Sequence, residues 1–216
     1  MAEQLTGNVL VAQSGGPTAV INASLAGVIE EALNHDCVEE IYGGLNGVLG
    51  ILQEQLIDLA EEPQQAIRGL RFTPSSALGT CRYKLRKEAD FARVVEVFKT
   101  HNIRYFFYIG GNDSMNTAHR VHLLAEAEGY ELRAIGVPKT VDNDVIPIKQ
   151  SLGAWTAAQQ GAKFFRNVVA EHNANPRMLI VHEVMGRNCG WLTAATAMKY
   201  RDLLGQLDFL PGTGLS

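Results

Sequence analysis

A chain of 216 residues, 46% hydrophobic and 19% charged, can bury one good core or two small ones and has the make-up of an ordinary globular protein. Its formal net charge of -4 provides no basic field for nucleic acid or anionic lipid, so any anion site must be local. Residues 1–8 lack a basic segment followed by an apolar core, no apolar run reaches bilayer length, and Cys37, Cys81 and Cys189 fit no metal-ligand spacing. The expectation is a cytoplasmic, reduced protein with no metal cluster, membrane span or nucleic-acid partner.

Residues 8–12 form a short β-type run that breaks at Ser14-Gly15-Gly16-Pro17, and 19–33 then carries Val20, Ala23, Ala26, Val28 and Leu33 at helical spacing. Taken alone, that glycine pair reads as a plain tight turn between strand and helix. A second strand, 40–43, leads into Gly43, Gly44, Gly47 and Gly50, which do not fit the GxGxxG dinucleotide fingerprint. No GxxxxGK[ST] occurs either, so neither a Rossmann cofactor site nor a P-loop is expected. Periodicity is weak over 54–74, apart from a short helix at 63–70 opened by Pro63. The small-residue loop Ser75-Ser76-Ala77-Leu78-Gly79-Thr80-Cys81-Arg82 ends among Arg71, Lys84, Arg86 and Lys87. Such a neighbourhood is commonly a solvated face. Arg82 is the member to separate from it, because small residues let backbone approach a phosphate and a guanidinium forks onto two of its oxygens.

Residues 88–100 place Phe91, Val94, Val95 and Phe98 on one side of a helix, and the continuous apolar run 103–109 reads as a strand buried on both faces. Gly110-Gly111-Asn112-Asp113-Ser114 follows, then a helix over 114–127 with Ser114 as its N-cap. Strand, glycine turn and helix start make a phosphate-binding geometry, since free backbone N–H groups and the positive helix end face an anion. The next strand, 132–137, runs into Pro138-Lys139-Thr140-Val141-Asp142-Asn143-Asp144, where two carboxylates separated by one residue stand beside a lysine and a threonine. Chemistry in α/β enzymes is placed in such loops after strands. Helices are predicted over 153–171 and 191–200, and strands over 177–184 and 207–210. His182-Glu183 lacks the second histidine of HExxH, so zinc is not indicated and His182 reads as structural. Alternation from end to end predicts an α/β fold, a mostly parallel sheet with helices on both faces and polar loops gathered at one edge.

Five loop sequences in order resemble the motifs of the phosphofructokinase family over essentially the whole chain: Ser14-Gly15-Gly16, Leu78-Gly79-Thr80-Cys81-Arg82, Gly110 to Ser114, Pro138 to Asp144, and Glu183-Val184-Met185-Gly186-Arg187. The resemblance implies that family's doubly wound fold, with 1–216 as the phosphoryl-donor-binding domain and the sugar-phosphate lobe largely absent. It implies magnesium-dependent phosphoryl transfer to the 1-hydroxyl of fructose 6-phosphate in glycolysis, by a homo-oligomer (dimer or tetramer). Lys139 and Asp113 stand where ATP-using members usually have glycine, as in the diphosphate-dependent branch. A carboxylate there obstructs the rest of a nucleotide, and an ammonium offsets the charge on diphosphate as its bond breaks. Diphosphate is therefore the expected donor, in a reversible reaction. By the same resemblance Asp142 is the general base, with Lys139 and Asp113 also catalytic. Gly15, Arg82 and Lys139 would hold diphosphate, and Thr140, Val141, Asp142, Asp144, Met185, Gly186 and Arg187 the sugar phosphate. Asn112 takes the family position of a magnesium-linked aspartate; its neutral amide oxygen implies weaker or differently routed metal binding. The alternatives are an ATP-dependent 6-phosphofructokinase and, from another class, a non-catalytic phosphate-binding domain or regulatory subunit.

Overall fold

The first apolar run becomes β1 (Gly7–Gln13), buried along its whole length, in a computed structural model that describes residues 4–175 and 177–205. The chain as far as Thr140 forms one compact unit, and a second begins at Val141. The sequence pattern gives no sign of this division and reads as a single domain over 1–216, because strand–helix alternation continues across the boundary.

In the first unit, β1 is followed by α1 (Ile21–Ala32), β2 (Val38–Gly44), α2 (Val48–Leu52), β3 (Leu56–Asp58) and α3 (Gln64–Gly69) with a 3-10 turn, Leu70–Phe72. Then come α4 (Glu88–Thr100), β4 (Ile103–Gly110), α5 (Asn112–Ala127) and β5 (Arg133–Pro138). The five strands form one sheet in the order β3-β2-β1-β4-β5. β1 pairs in parallel with β2 and β4, and β4 with β5, while β3 runs antiparallel to β2 at the edge. β3 lies where the periodicity is weak: three residues pairing at an edge leave too short a pattern to read. The direction of winding reverses between β1 and β4, and open α/β sheets present their binding crevice at such a reversal.

Pleating sorts the side chains of each strand by two. Leu10, Ala12, Phe106 and Tyr108 meet Phe91, Val94, Phe98 and Val121 of α4 and α5 in the main core. The Phe98 and Phe106 rings stand edge to face with centroids 5.0 Å apart, and Phe106 stacks on Tyr108 at 5.4 Å. On the opposite face α1 packs on β1, β2 and β4, burying Ile21, Leu25 and Ile29. α5 begins at Asn112 with Gly111 as its N-cap, three residues before the cap expected at Ser114. The glycine pair can pass from strand to helix without an intervening turn, which leaves the Ser114 hydroxyl free for another task.

The second unit is built on α6 (Ala154–Ala174) and α7 (Trp191–Leu204). Ala158, Leu192 and Ala195 are buried where these helices meet, with Trp155 and Trp191 edge to face at 5.4 Å. The strand proposed over 177–184 is instead an extended segment that forms no ladder among the described residues. It keeps a strand's alternation, with Leu179 89% and Val181 85% exposed and Met178, Ile180 and His182 half-buried. Alternation reports an extended backbone; a strand also needs a paired neighbour. His182 lies against the Phe164 and Phe165 rings, 5.6 and 5.2 Å away. The strand proposed over 207–210 lies outside the described residues.

Candidate phosphate-binding site

At the reversal point the ends of β1 and β4 are joined by hydroxyls. The Ser14 N–H donates to the Ile109 carbonyl at 2.9 Å, and Ser14 Oγ lies 2.5 Å from Ser114 Oγ. Gly110 sits between these two serines: a Cβ there would stand 2.2 Å from Ser114 Oγ and 2.3 Å from Ser14 Oγ, so no other residue fits. Tyr108 hydrogen-bonds to Ser14, and burial pushes its phenol up to about 12, keeping it neutral. Gly15 turns the chain at φ +77°, and a Cβ on it would come within 3.0 Å of Lys139 Nζ.

Lys139 enters from the end of β5, where its N–H donates to the Gly110 carbonyl at 2.7 Å. Its side chain is buried, and Nζ donates to the Gly16 carbonyl at 2.8 Å. Loss of hydration holds this ammonium below the ordinary lysine range, and the nearby positive charge of Arg82 adds to the effect. Arg82 arrives on the 75–82 loop, its guanidinium 3.4 Å from where a Cβ on Gly16 would sit. Thr80 Oγ1 donates to the Gly15 carbonyl at 2.6 Å, which ties that loop to the glycine turn. Among the described residues no carboxylate is ion-paired with Lys139 or Arg82, whereas Lys84 pairs with Asp113 at 2.5 Å and Arg71 with Glu30. Of that basic neighbourhood Lys84 and Arg71 are therefore engaged by carboxylates, and Arg82 lies beside Gly16. Two cations that repel one another over a bent glycine backbone suit a compact, multiply charged anion.

Sequence reasoning missed what holds this arrangement in place, a pair of fully buried amides, Gln13 and Asn22. Gln13 Nε2 donates to Asn22 Oδ1 at 2.9 Å. Gln13 Oε1 accepts from Ser76 Oγ at 2.7 Å and the Leu78 N–H at 3.1 Å. Asn22 Oδ1 also accepts the Ala77 N–H at 2.9 Å, and its Nδ2 donates to the Thr73 carbonyl at 2.9 Å. These bonds fasten the loop that carries Arg82 to the end of β1. The available signal was a polar amide closing an apolar strand and another on the buried stripe of α1.

Asn112 and Asp113 are exposed in the first turn of α5, with Asp113 held by Lys84. Among the described residues no group of three His, Cys, Asp or Glu side chains is gathered to hold a metal. Oxygen donors are nevertheless accessible at Asn112 and Asp113. That is the fit for a magnesium ion coordinated mainly by substrate phosphates and water, which needs only one or two protein oxygens. Among the described residues no helix is long and apolar enough to cross a membrane.

Thr140, half-buried, closes the first unit. In the second, the Val141 side chain packs on the Ala158, Leu192 and Ala195 cluster, an anchoring role beyond the sugar contact expected of it. Asn143 takes φ +53°; its Oδ1 accepts the Ser151 N–H at 2.6 Å and its Nδ2 donates to the Lys149 carbonyl at 3.2 Å. The Cys189 thiol donates to the Asp142 carbonyl at 3.3 Å, tying the loop of Met185, Gly186 and Arg187 to the Asp142 backbone. A Cβ on Gly186 would lie 2.5 Å from the Cys189 carbonyl oxygen, so this tight loop needs its glycine. Asp144, Gly186, Arg187 and Met185 are exposed, Met185 by 74%.

A mostly parallel sheet with a glycine turn, a buried lysine and an arginine that has no carboxylate partner among the described residues, all at its winding reversal, defines an α/β protein built to bind a phosphate-type anion. Comparison with known proteins narrows the class: the phosphofructokinase profile matches residues 8–201, and the chain belongs to that family. It is 46% identical over 199 residues to the pyrophosphate--fructose 6-phosphate 1-phosphotransferase of Halomonas elongata, a match covering 88% of this chain and 48% of that protein. The pyrophosphate-dependent phosphofructokinase structure from Marinobacter aquaeolei superposes with a TM-score of 0.83 at 43% identity, over 89% of this chain and 49% of that one. The corresponding structure from Nitrosospira multiformis gives 0.84 at 44% identity, with the same coverage. The chain therefore has the phosphofructokinase fold and spans about half the length of the relatives it matches.

Proposed function

We propose that this chain is the diphosphate-binding part of a diphosphate-dependent 6-phosphofructokinase. The reaction is the reversible transfer of a phosphoryl group from diphosphate to the 1-hydroxyl of fructose 6-phosphate, giving fructose 1,6-bisphosphate and phosphate. The observation that carries this reading is the buried Lys139 ammonium, bonded to Gly16 and repelled by an Arg82 without an ion-pair partner among the described residues. The names of the relatives support the choice of diphosphate as donor.

In this reading the Gly15 turn admits phosphate oxygens to the backbone, Arg82 forks onto two of them, and Lys139 counters the charge that builds on the leaving phosphate. Phosphoryl transfer depends mainly on such positioning and charge stabilisation. Asp142 takes the proton from the sugar hydroxyl. Thr140, Val141, Asp144, Met185, Gly186 and Arg187 place the sugar phosphate. Asp113, with its Lys84 partner, puts charged side chains where a nucleotide would have to pass. Asn112 and Asp113 are the side-chain oxygens that would hold magnesium, which, when bound with diphosphate, would supply further charge neutralisation. The enzyme is assigned to glycolysis in the cytoplasm, as a homo-oligomer of dimeric or tetrameric form.

Calorimetric titration with magnesium diphosphate and with magnesium ATP tests the donor reading directly. Binding of diphosphate but not ATP is the expected result, and equal binding of both overturns it. Formation of fructose 1,6-bisphosphate from fructose 6-phosphate and each donor in turn then tests the reaction.

A further inference from the structure

Packing alone would accept phenylalanine at position 108. Tyr108 is 3% exposed and stacked on Phe106 beneath α4 and α5, and a buried hydroxyl costs stability unless it is hydrogen-bonded. Its phenol stands near the end of β4, under the glycine turn, and meets two partners there. The Val48 N–H donates to the phenol oxygen, and Ser14 is the second partner. That N–H opens α2, and a helix leaves its first donors without an intrahelical acceptor. Gly47 makes the approach possible. A Cβ on it would stand 3.5 Å from the Tyr108 oxygen, 3.2 Å from Cys81 Sγ and 2.7 Å from the Gln13 carbonyl oxygen.

With the Val48 N–H on its oxygen, the phenol has its own proton left for Ser14 Oγ. Ser14 Oγ in turn donates to the Ile109 carbonyl at 3.3 Å and lies 2.5 Å from Ser114 Oγ. This chain of bonds fixes the residue that enters the Gly15 turn, and the Gly15 N–H donates to the Cys81 carbonyl of the Arg82 loop at 3.5 Å. We propose that Tyr108 is a positioning residue for diphosphate: through Ser14 it holds the Gly15 turn at the spacing from Arg82 and Lys139 that the anion requires. The ligand named here rests on the diphosphate reading, whereas the fastening of the turn rests on the hydrogen bonds alone. A second phenol offers a comparison. Tyr130 donates to the Phe98 and Ile103 carbonyls at 3.0 and 2.8 Å, at the opposite end of β4. It braces the same sheet away from the turn.

Tyr108→Phe keeps the ring and removes the hydroxyl, and Tyr130→Phe does the same at the far end of the strand. Thermal denaturation of the 216-residue chain should show a loss of a few degrees for each. Calorimetric titration with magnesium diphosphate, well below either melting temperature, should show roughly tenfold weaker binding for Tyr108→Phe and wild-type binding for Tyr130→Phe. Ser14→Ala should weaken binding as well, and adding Tyr108→Phe to it should weaken binding no further, because the phenol acts through that hydroxyl. Amide exchange at Gly15 and Gly16 gives a readout that needs no ligand, and it should quicken roughly tenfold in Tyr108→Phe but not in Tyr130→Phe. Unchanged affinity in Tyr108→Phe, equal weakening in both single phenol variants, or additive losses with Ser14→Ala would overturn the positioning role. Should the wild-type chain bind no diphosphate, the donor reading fails on its own, and exchange at the turn decides whether Tyr108 positions it.

Discussion

The loops of the first unit and those of the second are held by different means. Gly15, Arg82 and Lys139 stand at the end of a sheet whose core includes Phe91, Phe98 and Phe106; the buried amides of Gln13 and Asn22 lock the Arg82 loop to the end of β1, and Lys139 is held by its bonds to Gly110 and Gly16. Asp142, Met185 and Arg187 belong to loops beside a much slighter core of Ala158, Leu192 and Ala195, fixed by local bonds of Asn143 and Cys189. Bringing two cations together without carboxylate partners requires a rigid frame, because mutual repulsion would otherwise drive them into solvent. Loops without that repulsion can rest on local hydrogen bonds.

The contrast is sharpest in the cores. Phe106→Ala should destabilise the first unit by about 3–5 kcal/mol, whereas Leu192→Ala, among alanines in the second, should cost nearer about 2 kcal/mol. Denaturant titration of each variant, with amide exchange to separate the units, measures both; equal costs would break the comparison.

Next in size is the effect of the buried ammonium. Lys139→Met should weaken diphosphate binding by roughly a hundredfold, consistent with the loss of a charge-assisted contact. The same change should raise the stability of the ligand-free protein by about 1 kcal/mol, since a desolvated charge is removed. A pH series separates these effects. The folded pKa of Lys139 lies below 10.5, so the unfolded chain binds the proton more tightly. Its burial therefore costs stability at lower pH, and that cost is relieved as pH rises through the folded value towards 10.5. Diphosphate affinity should fall over the same window as the ammonium is lost. Lys139→Met should remove both slopes, and Lys139→Arg should remove the fall in affinity, because a guanidinium does not titrate there.

Gln13→Ala would leave the Leu78 N–H without its acceptor, whereas the Ser76 hydroxyl keeps the Gly79 carbonyl, at a cost of about 1–3 kcal/mol. It should also weaken diphosphate binding through the loosened Arg82 loop. A variant with full affinity despite the lost stability would show that the amide pair supports the fold alone. The smallest effect is expected at Lys84→Ala, which removes an exposed ion pair with Asp113 and should change stability by less than about 1 kcal/mol. A larger loss by thermal denaturation would mean that the pair does more than occupy the surface.

The sequence alone determined the mostly parallel α/β class, the helices from α4 to α7 to within a few residues, and the loops after β1, β4 and β5. Those features depend on local order: apolar periodicity, glycine between strand and helix, and motif spacing along a continuous chain. Tertiary structure decided the rest. Ser114 became a partner for Ser14 because Gly111 caps the helix, and Gln13 and Asn22 became a clamp because strand and helix bring distant loops to the same buried point. β3 formed because an edge was available, and 177–184 stayed extended because a strand is made by its neighbour. The two faces of β4 are the clearest case: the sequence asked for burial on both sides, and packing buries Phe106 and Tyr108 more deeply than Tyr105 and Phe107.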